Sequence, residues 1–85
     1  MNEWEIFKSL IEILRRSMGD SYYDFDSITM ETGLYDEIRI TSISAIYMAL
    51  EIESLYHFSI TNEDAAKLVK VKDLVNLIES HIENK

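Results

Sequence analysis

Three stretches of this chain repeat apolar residues at three- and four-residue spacing, and no proline interrupts any of them. That pattern limits the fold to packed amphipathic helices. In residues 3–18, Phe7, Leu10, Ile11, Leu14 and Met18 fall on one face. In residues 42–56, Ile46, Ala49, Ile52 and Tyr56 sit at core spacing, and in residues 71–83 the face is Val71, Leu74, Val75, Ile78 and Ile82. The ends carry matching signals. Asn2 suits the first helix as N-cap, Glu3 and Glu5 suit its positive pole, Arg15 and Arg16 its negative pole, and Gly19 its termination. Asn62 is the expected cap of a short additional helix through Glu63, Asp64, Ala65 and Ala66. The expectation is therefore an all-α fold in a single domain, residues 1–85: a small bundle of three main helices plus one short helix, with a long first loop.

That loop, residues 20–41, has no sustained period. About twenty residues without regular structure are unusual in a compact domain unless side chains pin them. Tyr22, Tyr23, Phe25, Ile28, Met30, Leu34, Tyr35 and Ile38 are the candidate pins, with a helical turn expected around Leu34–Ile38. Its acids, Asp20, Asp24, Asp26, Asp36 and Glu37, lack the alternation and central glycine of a calcium loop and read as a solvated face.

Composition removes whole classes of function. At 85 residues and 47% hydrophobic, the chain can bury a core near the lower size limit for an independent domain. Cysteine is absent, which excludes a disulfide scaffold, a thiol nucleophile and a thiolate zinc site. Thioester chemistry would need a thiol from outside. No apolar run reaches the ~18 residues that span a bilayer, and the acidic N-terminus is unlike a secretory signal, so the expected setting is cytoplasmic. The net charge of −8 is uneven. Acids and bases balance in residues 1–18 and 69–85, so the excess falls between Asp20 and Asp64, on both sides of Ser42. Such a field disfavours nucleic acid and anionic membrane and steers basic proteins.

The second helix is apolar over more than half its circumference, wider than a surface helix usually needs. Ile43, Tyr47 and Leu50 form a second line at i, i+4 and i+7, which reads either as extra core or as a surface for a partner or an acyl chain. Ser42 stands at the start of this helix. Thr41 can serve as N-cap, leaving the Ser42 hydroxyl exposed in the first turn, where helix N–H groups favour an attached anion. Nucleophilic catalysis would need a base within reach. His57 lies beyond the far end of the helix, over ~20 Å away at ~1.5 Å per residue, and His81 lies near a C-terminal end expected to be exposed. No GxSxG elbow is present, and two histidines make no zinc site. The chain does not read as an enzyme.

From Ile28 to Ile82 the chain resembles acyl carrier proteins without a gap. Thr41-Ser42-Ile43 takes the place of the usual Asp-Ser-Leu, and Leu34-Tyr35-Asp36-Glu37-Ile38 resembles the approach to it. Ile46, Ile52 and Glu53 match in type. Tyr56-His57-Phe58-Ser59-Ile60 stands for Phe-Gly-Ile-x-Ile, Asn62-Glu63-Asp64-Ala65 for the acidic third-helix start, and Lys67-Leu68-Val69-Lys70-Val71 with Leu74, Val75 and Ile78 for the last helix. The resemblance implies a 4′-phosphopantetheine arm on Ser42, attached by a phosphopantetheinyl transferase, whose thiol carries an acyl, polyketide or aminoacyl intermediate. It implies a monomer whose second helix, with Thr41, Ile43, Tyr47, Leu50 and Glu51, meets the acyl-loading and condensing or transferase enzymes. It also implies an interior around Ile46, Ile52 and Ile60 that shelters a fatty chain.

Four departures set the chain apart from that pattern. Thr41 lacks the carboxylate that helps engage the transferase and its magnesium ion. Arg39 and Ile40 replace small residues, Ser44 and Tyr47 replace residues that are commonly acidic, and Lys70 replaces a capping threonine. They point to specialised partners. The alternative is a carrier-like interaction module that binds a protein through the second helix, with Ser42 as a mere cap.

Overall fold

The computed structural model describes residues 2–19 and 22–83, so the expected acid Asp20 lies outside the described residues. Helices α1 (Glu3–Met18), α2 (Ser42–Tyr56), α3 (Asn62–Ala66) and α4 (Val71–Glu83) follow one another, with a 3-10 turn at Phe25–Ser27 in the long loop. The small all-α bundle is the expected one. The Cα radius of gyration, 11.9 Å, matches the ~12 Å of a packed chain this long. The loop is therefore laid over the helices rather than splayed from them.

Helix α1 begins where the Asn2 side chain accepts the Glu5 N–H at 2.9 Å and ends at Gly19, whose φ of 93° few other residues adopt. It packs against both α2 and α4. Facing two neighbours rotates its core line from the expected one. Ile6, Leu10, Ile13 and Leu14 are buried, while Phe7, Ile11 and Met18 are half-buried at the edge.

Helix α2 runs antiparallel to α1. Ser44 Oγ donates to Ser17 O near one end, and the Ser9 and Tyr56 hydroxyls bond near the other. Its buried line is Met48, Ile52 and Tyr56. Ile46, expected in the core, is exposed, because it lies two residues and roughly 200° around the helix from Met48. The expected acyl-chain interior around Ile46, Ile52 and Ile60 is therefore not one chamber: Ile52 is buried, Ile60 half-buried, and Ile46 outside. His57 closes α2 in the left-handed region at φ 58° and ψ 51°.

The remaining elements differ from expectation in three places. Thr61, not Asn62, caps α3, through a reciprocal box in which Thr61 Oγ1 accepts the Asp64 N–H and Asp64 accepts the Thr61 N–H. His81 is not an exposed tail residue; it is half-buried and stacks on Phe58 with ring centroids 4.1 Å apart. The helical turn expected around Leu34–Ile38 is a single wider turn over residues 34–37, closed by Ile38 N–H to Gly33 O five residues back.

Phe25, Ile28, Leu34 and Ile38 pin the loop as expected, joined by Ile40, whereas Tyr22 and Tyr35 stay exposed. The loop also completes α4. The free N–H groups of that helix's first turn meet loop carbonyls, Val71 to Thr32 O at 3.0 Å and Lys72 to Met30 O at 2.9 Å, beside a short bridge between Gly33 and Lys70. Asp73 reaches back to accept the Lys70 and Val69 N–H groups at 2.8 and 2.9 Å, which holds its carboxyl below the usual carboxylate range.

Candidate functional site

The loop delivers Ser42 to its place. Buried Ile38 and Ile40 anchor the strand-like approach, and the Ile40 N–H donates to Leu34 O at 3.1 Å. Between them Arg39 turns through the left-handed region at φ 62°. That conformation is uncommon for a residue with a Cβ. The Tyr22 hydroxyl holds it by donating to Arg39 O at 3.1 Å. The Arg39 side chain is left in solvent three residues before Ser42.

Thr41 then takes the cap. Its Oγ1 accepts the Ser44 N–H at 3.1 Å, and its carbonyl accepts the Ala45 N–H. With that role filled, Ser42 occupies the first helical turn, is exposed, and makes no side-chain hydrogen bond to any of the described residues. The backbone N–H groups of Ser42 and Ile43 precede the helix's own acceptors, so they and the dipole point at the space the Ser42 hydroxyl enters. No acidic residue stands in this first turn. An anion bonded to Ser42 would meet these N–H groups and the positive end of the helix dipole.

Along α2 the surface is apolar. Ile43, Ile46, Tyr47 and Leu50 are 69%, 61%, 60% and 57% exposed. Their spacing of i, i+3, i+4 and i+7 makes one stripe, roughly 170° from the Met48–Ile52–Tyr56 core line at ~100° per residue. Ile46 completes a line whose other members were singled out from sequence; its distance of three residues from Ile43 and four from Leu50 was the available signal. Glu51 is different. It flanks the stripe and is held by Arg16, whose Nη2 and Nε donate to one carboxylate oxygen at 2.6 and 3.2 Å. Arg16 and Glu51 lie 35 positions apart, a contact that no local pattern announces.

Two other features lie elsewhere. An open cleft of about 740 Å³ runs between α1 and residues 25–30, lined by Trp4, Phe7, Ile11, Phe25, Ile28 and Met30 with charged residues at its rim. It lies on the flank of α1 away from α2. Among the described residues no group of three or more His, Cys, Asp or Glu could hold a metal ion. No described helix is long and apolar enough to cross a membrane.

The geometry defines a class: a small helical bundle that presents, at the head of an apolar helix, an exposed serine with no side-chain hydrogen bond among the described residues. No family model matches the chain. Individual proteins do match it. It is 29% identical to an acyl carrier protein of Coprothermobacter proteolyticus over 85 residues, the whole of both chains. It is 27% identical to one of Phytoplasma mali over 79 residues, covering 93% of this chain and 90% of that one. It is 32% identical to one of Campylobacter lari over 57 residues, covering 67% of this chain and 74% of the relative. The chain belongs to the acyl carrier protein family.

Proposed function

We propose that the chain carries an acyl, polyketide or aminoacyl intermediate as a thioester on a 4′-phosphopantetheine arm bonded to Ser42. The observation that carries this reading is the exposed Ser42 hydroxyl: Thr41 supplies the cap, so Ser42 is spared for attachment. The free N–H groups of Ser42 and Ile43 and the helix dipole suit the phosphodiester of such an arm. When bound, the arm supplies the thiol that a cysteine-free chain lacks. This chain's own residues hold and present it. Ile38 and Ile40 fix the approach, α2 orients the attachment point, and Ile43, Tyr47 and Leu50 offer the face that a phosphopantetheinyl transferase and the acyl-loading and condensing or transferase enzymes dock against. Thr41 borders that face. Glu51, tied to Arg16, steadies its flank. The role is a carrier's, not a catalyst's, in fatty-acid, polyketide or related biosynthesis.

Incubation of the apo chain with coenzyme A and a broad-specificity phosphopantetheinyl transferase, followed by intact-mass measurement and peptide mapping, tests the proposal. The expected result is one phosphopantetheinyl group per chain, on Ser42, and none on Ser42→Ala. An unmodified wild type, or modification that survives in Ser42→Ala, refutes it.

A further inference from the structure

The apolar stripe of α2 is arranged symmetrically about its own midpoint. Ile43 and Leu50 lie equally far from the point between Ile46 and Tyr47. At ~100° and ~1.5 Å per residue, Ile43 and Leu50 fall on the centre line of the exposed face, while Ile46 and Tyr47 flank it on opposite sides. A second copy turned antiparallel about a two-fold axis at that midpoint meets it with a matching surface. Ile43 then faces Leu50 of the second copy at both ends, and Ile46 and Tyr47 each face their own counterparts at the centre. A closed interface of this type needs a self-complementary patch. The stripe itself contains no charge to bury or oppose, and its four residues are each exposed by more than half.

The area is sufficient, narrowly. Taking ~200 Å² for a large apolar side chain, the stripe presents roughly 500 Å² per copy, at the upper end of what a soluble monomer leaves exposed. Two copies bury about 1,000 Å², the lower bound of a specific interface and the range of exchanging complexes. Α2 also offers the patch on a rigid element, since its opposite side is fixed in the core by Met48, Ile52 and Tyr56.

We infer that the apo chain self-associates through α2 as a weak antiparallel dimer with its two-fold axis between Ile46 and Tyr47. The pairing covers the face next to Ser42, so the dimer is the closed form and the monomer the form open to enzymes. It does not require Ser42 to be modified, so it stands or falls separately from the carrier proposal.

Sedimentation equilibrium of the unmodified chain from low to high micromolar concentration tests it. The weight-average mass is expected to rise from 10.0 kDa toward twice that value, and Tyr47→Glu is expected to remain at the monomer mass with an unchanged helical circular dichroism spectrum. Because the chain has no cysteine, single-cysteine variants report the register. Ile46→Cys should oxidise to a cross-linked dimer, and Ile43→Cys, whose counterpart lies about seven residues or ~10 Å along the seam, should not. A wild type that stays monomeric throughout, a Tyr47→Glu variant that dimerises as before, or equal cross-linking at positions 43 and 46 overturns the inference.

Discussion

Thr41 has two separable roles in this account, and a three-variant series at that position distinguishes them. As N-cap it supplies one hydrogen bond, Thr41 Oγ1 to the Ser44 N–H at 3.1 Å. Removing such a cap costs about 1 kcal/mol, which lowers Tm by roughly 4–8 °C in a domain this small. Thr41→Ala should show that loss by thermal circular dichroism. Thr41→Asn restores a cap acceptor without charge and should return Tm to within about 2 °C of wild type. Thr41→Asp restores the acceptor and adds a negative charge at the positive end of α2, worth about 0.3–1 kcal/mol. It should match or exceed wild type. The rate of phosphopantetheinyl transfer to Ser42 should follow a different order. If the carboxylate usual at this position in the family engages the transferase, Thr41→Asp is faster than wild type and Thr41→Asn is not. An unchanged Tm in Thr41→Ala refutes the capping role. Equal transfer rates for the aspartate and asparagine variants refute a role for a carboxylate at this position in engaging the transferase.

Three further outcomes follow from the packing and the charges. Ile52 is fully buried and Ile46 exposed, so Ile52→Ala should cost about 2–5 kcal/mol; Ile46→Ala, measured at low concentration, should stay within about 0.5 kcal/mol of wild type. Chemical denaturation decides, and comparable losses would place Ile46 in the core after all. Asp73 has a depressed pKa because the Lys70 and Val69 N–H groups point at its carboxylate. A depressed folded-state value gives stability that is fully present above the unfolded value and lost as pH falls through the folded one. Asp73→Asn should therefore be less stable than wild type at neutral pH, with the gap closing below the ordinary carboxylate range; a gap constant with pH contradicts this. Glu31 bonds Lys70 and bridges to Lys72 across the loop–α4 contact, and its carboxyl is held low first by the Lys70 bond and then by Lys72. Glu31→Gln should lessen the acid-side loss of stability in the same sense, read from melting curves at several pH values.

The helices were legible because their signals are local. The Asn2 cap, the terminating Gly19, the absence of proline and the spacing of Leu74, Val75 and Ile78 each act within a few residues. The rotation of α2 was not legible. Its apolar residues are spread nearly evenly around the helix, so no sequence asymmetry chooses which side faces inward. Contact with α1 makes the choice, placing Met48 inside and Ile46 outside. The candidate site shows the same division. Thr41 as cap and Ser42 as exposed first-turn residue follow from neighbouring positions. The links from Tyr22 to Arg39, Arg16 to Glu51 and Ser44 to Ser17 join residues 17 to 35 positions apart, where no period operates. The loop's role as a cap for α4 was hidden for the same reason, since Thr32 and Met30 contribute through their backbone carbonyls rather than through their side-chain types.

Because the chain contains no cysteine, thiol titration gives the most direct test of the central claim. Before modification the unfolded chain should contain no titratable thiol. After treatment with coenzyme A and a phosphopantetheinyl transferase, and removal of small molecules, it should contain one per molecule. Ser42→Ala treated identically should contain none. A wild type that gains no thiol, or a Ser42→Ala variant that gains one, contradicts the account.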